Sequence, residues 1–273
     1  MDKINSIIEK KYDSFKLCMQ YIHSKKDKEL IEKYTVYYIE NNILNFVDSN
    51  RMTHDIDNMI DDYFKYDLEL TDALLFKVWE AILTEFDKEA RFEDSGFRSV
   101  YKIIKKYSAF FWEKIKNILD ELKPTTYPQY NRFVDFMQGG YMSRWFNHSI
   151  FSYIEADDVI NWLKVTDYKE ARYIVADSLN IDFENDTLPD IVIKLLTEFP
   201  DDEDLYSSIK VSSEGWMGSY VPVANKKIEN IEKMLEMYKD KESVLEFLQW
   251  AKRGFESRRD WERTRDEEEN LLY

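Results

Sequence analysis

The chain has 273 residues, one cysteine and a formal net charge of −16, with 44% hydrophobic, 34% charged and 16% aromatic residues. That length buries a core without metal or disulfide staples, and the lone Cys18 forbids an intrachain disulfide and favours a reducing, cytoplasmic setting. The acidic balance argues against a general nucleic-acid or anionic-membrane binder, and no stretch approaches the roughly 20 apolar residues of a membrane span.

From the N-terminus, "MDKINSIIEKKYDSF" lacks the long apolar core of a secretory signal. The first 123 residues hold no proline and a single glycine, Gly96, which suits long helices and not the turn-rich spacing of an all-β chain. In "DKELIEKYTVYYIENNILNFV", Leu30, Ile31, Tyr34, Tyr37 and Tyr38 fall on one helical stripe. "LTDALLFKVWEAILTEF" repeats the pattern through Leu74, Leu75, Val78, Ile82, Leu83 and Phe86, with Thr71 as the expected N-cap. "SGFRSVYKIIKKYSAFFWEKIKNILDEL" reads as one further long helix, stopped by Pro124.

"KPTTYPQY", residues 123–130, interrupts the helical pattern with prolines and threonines and marks the expected boundary between an N-terminal long-helix region, 1–123, and a second region, 124–273. Beyond it the amphipathic units shorten: "EADDVINWLKV", "YKEARYIVADSLN", "TLPDIVIKLLTEF" and "DDEDLYSSIKV". Short helices cannot bury their apolar faces alone, so the expected fold is all-α, with antiparallel helix pairs stacked as an irregular α-solenoid. Two long helical stretches close the chain, "ANKKIENIEKMLEMY" and "ESVLEFLQWAKRGFESRRDWERTRDEEENLLY". In the second, Val244, Leu248, Ala251 and Phe255 make a core stripe, while Trp250, Gly254 and Trp261 recur about 100° around the helix. That second stripe is either a side wall of the core or a docking face with a glycine notch.

From about residue 130 onward, "FVDFMQGGYMSRWF", "DDVINWLKV", "DYKEARYIVADSLN", "LLTEFPDDEDLYSSI", "EGWMGSYVP" and "VLEFLQWAKRGFESRRDWERTRDEEE" follow in an order that resembles degenerate HEAT-like helical repeat regions of bacterial proteins. Such regions are often attached to, or encoded with, anti-phage defence effectors. The resemblance covers roughly half the chain and brings no catalytic motif. It implies a scaffold or recognition role, and "YKDKES" stands where such helix pairs commonly carry a proline.

Tests for chemistry find no strong carrier. His23, His54-Asp55 and the later aspartates are similar to the H…HD…D pattern with which helical phosphohydrolases hold divalent metals, but "RMTHDIDNMIDDYF" also suits the acidic first turn of a helix. His148 completes the histidines and joins no motif. From Asp55 an EF-hand fails at Met59 and Ile60, where an oxygen ligand and a glycine are required. "GWMG" matches no phosphate loop, "PDIVIK" reads as a helix start at Asp190, and no G-x-S-x-G elbow is present. Arg172 reads as a salt-bridge or cap residue. The expectation is a non-enzyme with no cofactor or metal.

Charge is uneven: residues 51–100 carry 13 acids and 6 bases, whereas 101–150 carry 8 bases and 4 acids. A polarised surface suits a charge-complementary protein partner. The favoured function is therefore a protein–protein interaction or scaffold module, with Trp145, Trp216, Tyr220, Trp250, Gly254 and Trp261 as candidate interaction residues. The competing readings are an acidic inhibitor, immunity protein or nucleic-acid mimic that blocks a basic partner, and a metal-dependent phosphohydrolase. "SSEGWMGSYVP" reads as a connection whose glycines let the chain turn on either side of Trp216 before a helix that begins near Pro222 or Ala224.

Overall fold

Proline-free amphipathic stretches become helices along most of the chain, as a computed structural model shows for residues 22, 24–46, 53–86, 97–121, 137, 149–168, 170–202, 204–212 and 220–270. Cys18, His23, Trp145, His148, Trp216 and the proline-bearing 123–130 boundary lie outside the described residues. The chain divides into two compact units, Met1–Phe136 and Met137–Tyr273.

The first unit contains α1 (Lys28–Phe46), α2 (Thr53–Lys65), α3 (Asp72–Phe86), α4 (Phe97–Lys106) and α5 (Ser108–Glu121). Asp27 starts α1 by accepting the Glu29 and Leu30 amides at 3.0 and 3.2 Å, which satisfies two donors that have no partner within the helix. Thr71 caps α3 through Leu74 N–H at 3.4 Å. The stripes behave as their period dictates: Ile31, Tyr34 and Tyr38 on α1 and Leu74, Leu75, Val78 and Ile82 on α3 are buried, with Leu30, Tyr37 and Leu83 at the margin. Accordingly α1 packs on α2 and α3, and α2 on α4.

The long helix expected over residues 95–122 is divided at Tyr107 into α4 and α5. Tyr107 is drawn into a loop contact, since its hydroxyl accepts the Leu70 amide at 2.6 Å. Tyr63 donates to the Glu69 carbonyl at 2.8 Å and Tyr66 to the Lys26 carbonyl at 2.8 Å. Three of the described tyrosines of this unit therefore satisfy loop backbone groups that no helix or strand supplies with partners. Part of the charge contrast is also internal to this unit, because Lys102 on α4 pairs with Asp61 on α2 at 2.6 Å.

Burial, with smaller contributions from Tyr107, Glu32 and Glu69, pushes the Tyr63 phenol up to about 12 from the ordinary 10.0. Because the folded value exceeds the unfolded one, the stability that the neutral phenol contributes is whole below pH 10.0 and is lost as the pH rises through about 12. Tm is expected to fall across that window, and to fall less steeply in Tyr63→Phe. Equal slopes in the two proteins would exclude Tyr63 as a source of the alkaline loss.

The second unit runs from a 3-10 turn (Ile150–Ser152) through α6 (Ala156–Val165), α7 (Ala171–Ser178), β1 (Asn180–Ile181), α8 (Asp190–Glu198), α9 (Leu205–Ser208) and β2 (Lys210–Val211) to α10 (Tyr220–Met237) and α11 (Glu242–Asn270). The described residues are thus predominantly helical with one two-stranded sheet. The strands depart from the expected run of short helices: β1 and β2 pair in parallel, with Asn180 opposite Lys210 and Ile181 opposite Val211. Among its described residues the stretch 201–211, expected to be wholly helical, has only the four of α9 in helix. The extended chain on either side satisfies its backbone in the sheet: Lys210 N–H meets the Leu179 carbonyl at 3.1 Å and Ser212 N–H the Ile181 carbonyl at 2.8 Å.

Helix α6 packs on α8, where Lys194 bridges Asp157 at 2.9 Å and Asp190 at 2.8 Å. The reading of Asp190 as a helix start holds, with Pro189 extended just before it. The most extensive packing in the unit joins α10 and α11 across the turn at Tyr238–Asp240, and α11 also packs on α8. Helix α10 begins at Tyr220, two residues before the expected Pro222. Pro222 is tolerated in that first turn because its missing N–H would have no intrahelical partner.

Candidate interaction surface

Helix α11 positions most of the residues singled out for recognition. Val244, Phe247, Leu248, Ala251 and Phe255 are buried, as the heptad-like spacing requires. Around the side of this stripe, Trp250 is half-buried, its ring stacked on Phe247 at 6.0 Å and edge-on to Tyr206 at 5.9 Å. One turn on, Gly254 is exposed, and a β-carbon placed there would meet nothing within 4 Å. The glycine is therefore a bare spot on an open helix face and not a close approach to another element of its own chain.

Two turns further, Trp261 is 59% exposed and has the Arg265 guanidinium 5.2 Å from its ring. Arg265 is held in turn by Glu262 at 2.6 Å. A large aromatic presented this way costs hydrophobic free energy in water, about 1.5–3 kcal/mol relative to a fully buried ring of its class. Tyr220 occupies a different environment. It is buried at the start of α10, the Arg258 guanidinium lies 4.3 Å from its ring centre, and burial raises its phenol pKa. It supports α11 from beneath, and as placed it offers little surface to a partner. Trp145 and Trp216 fall outside the described residues; buried Lys227 on α10 donates to the Ser212 carbonyl at 2.9 Å.

A groove adjoins the α11 face at Tyr206. It consists of two hollows of about 370 and 520 Å³ that share Phe199, Pro200 and Asp202. Asp202 is fixed between them, accepting Tyr173 Oη–H at 2.7 Å and pairing with Arg172 Nη1 at 3.1 Å. The hydrogen bond to Asp202 is the largest cause of the raised Tyr173 pKa. Arg172 also lies 5.1 Å from the Phe199 ring centre, so it takes the salt-bridge role read for it while forming part of the wall. The larger hollow carries Asp201 and Asp204, and the smaller carries Glu246, Gln249 and Arg253 of α11.

No family model, curated protein or solved structure matches this chain. The groove and the open face of α11 must therefore be read on their own chemistry. Among the described residues, no group of three or more His, Cys, Asp or Glu side chains is placed to hold a metal. His54 and Asp55 lie in the first turn of α2, and Asp61 from the same acidic run is engaged with Lys102. No described helix is long and apolar enough to cross a membrane.

The groove residues Phe199, Pro200, Tyr206 and Arg253 were not singled out in the sequence. The signal available there was "FPDDEDLY", in which aromatics and a proline bracket a dense run of acids. Its other wall comes from Ser243 to Arg253 on α11, a separation along the chain that no local pattern reveals.

Proposed function

We propose that this chain is a non-catalytic recognition or scaffold module of a bacterial cytoplasm. Its helix pairs stack antiparallel as an irregular HEAT-like solenoid, and it works beside another protein, as the resemblance to repeat regions of anti-phage systems implies. The observation that most supports this reading is the open face of α11, where exposed Trp261 follows the bare helix surface at Gly254 and half-buried Trp250 joins that surface to the groove. Tryptophan is among the residues that carry most binding energy at protein interfaces, and a glycine on a helix face lets a partner approach the backbone closely.

Affinity capture from the native host with the full chain is expected to recover one specific protein. Trp261→Ser should reduce its recovery at least about tenfold, the scale of an interface hot spot. Because Trp261 is mostly exposed, Tm should change by no more than about 2 °C, as for an ordinary surface substitution. Recovery of no specific partner by the unaltered chain, or full recovery by Trp261→Ser, would count against this reading.

A further inference from the structure

We infer that the groove between the α8–α9 connection and α11 docks an arginine-bearing, extended peptide segment of the partner protein. The inference rests on the recognition reading and names the chemistry of what is recognised. Phe199, Pro200 and Tyr206 supply apolar contacts within an otherwise largely polar lining, and the combined hollows are of a size that takes a few peptide residues.

The charges select the occupant. Arg172 is neutralised by Asp202, whereas the carboxylates of Asp201, Asp204 and Glu246 have no hydrogen-bonding or ion-pairing partner among the described residues. An arginine guanidinium suits carboxylates such as Asp201 and Asp204 because its planar fork donates to two acceptors and is weakly hydrated. Arg253 and Gln249, also at the groove, supply donors for the carbonyls of an extended backbone, while a neighbouring apolar side chain of the peptide covers Phe199 and Tyr206. Nucleic acid is the wrong occupant, since its phosphates would meet these same carboxylates.

The test is fluorescence anisotropy of a fluorescein-labelled octapeptide of alternating arginine and leucine with the full chain at low salt. The unaltered protein is expected to bind it, and binding should weaken about tenfold between 0.05 and 0.5 M salt as exposed charges are screened. Asp201→Asn combined with Asp204→Asn should weaken binding about five- to tenfold, and Glu246→Gln about two- to fivefold, the range of partly exposed ion pairs. Glu184→Gln combined with Asp186→Asn removes the same charge from exposed positions elsewhere in the unit and should leave binding unchanged.

No binding by the unaltered chain, or equal weakening by the two double substitutions, overturns the proposal. The host capture separates this result from the broader reading. If the protein loses its partner on Trp261→Ser but not on Asp201→Asn with Asp204→Asn, the groove assignment fails and recognition stands. If the peptide result holds while no host partner is recovered, the recognition role fails instead.

Discussion

Phe247→Ala is expected to destabilise the second unit by about 3–5 kcal/mol, the usual cost of deleting a large buried aromatic. Phe247 is fully buried on α11, and its ring lies 6.2 Å from Phe183 and 6.0 Å from Trp250. Phe255 completes the cluster from the next turns of α11, edge-on to Phe183 at 5.9 Å. Removing Phe247 takes the contact from both neighbours at once and leaves a hollow under Trp250, the residue that connects the core to the groove through Tyr206. Urea unfolding followed by tryptophan fluorescence measures the loss. Phe76→Ala is the comparison: its ring is 45% exposed, meets Phe110 at 5.1 Å and has Lys114 at 4.5 Å, so about 1 kcal/mol or less is expected. Equal costs for the two substitutions would mean that the aromatic cluster does not organise the unit.

The part of this architecture legible in the sequence is the part set by local period. Val244, Leu248, Ala251 and Phe255 are spaced for one helix face and are all buried, as are Leu74, Leu75, Val78 and Ile82. What period does not encode was missed. The two-residue strands at Asn180–Ile181 and Lys210–Val211 are too short to show alternation, and they exist because a parallel partner lies about thirty residues away. The division of α4 from α5 at Tyr107 depends likewise on a bond to Leu70 that nothing in "KKYSAFF" announces.

The site divides in the same way. That Trp250, Gly254 and Trp261 form a stripe beside the core stripe follows from their spacing, but their exposure depends on which other elements cover α11. The structure grades that stripe from half-buried Trp250 to open Trp261. Tyr220, read from the sequence as a candidate interaction residue, is buried instead, because the helix already begins at that residue and its ring lies against the Arg258 guanidinium. The groove was invisible because its walls are separated along the chain, one at Leu196–Tyr206 and the other at Ser243–Arg253.

Asn230→Asp is expected to cost about 3 kcal/mol or more at pH 7, although it changes a single terminal atom, because a buried double donor becomes a charged acceptor. Asn230 is buried on α10, and its amide nitrogen donates to two consecutive carbonyls, Phe183 at 3.0 Å and Glu184 at 2.9 Å. Those bonds hold the chain where Phe183 has φ 55, a left-handed conformation that costs a bulky residue about 1–2 kcal/mol. The strain is tolerated because that backbone geometry delivers the Phe183 ring to Phe247 and Phe255. An aspartate would aim a carboxylate at the two carbonyls, so the folded state would favour its protonated form and raise its pKa above the unfolded value of about 3.9. The sign follows: the variant's stability relative to the parent is greatest below about pH 4 and is lost as the pH rises through the raised folded value. Tm differences measured at pH 4.5 and 7 should therefore be smaller at the lower pH, whereas Asn230→Ala should show a deficit of about 1–3 kcal/mol at both. If Asn230→Asp showed the same deficit at the two pH values, its loss would reflect packing alone, and the double hydrogen bond would not be what holds Phe183 in place.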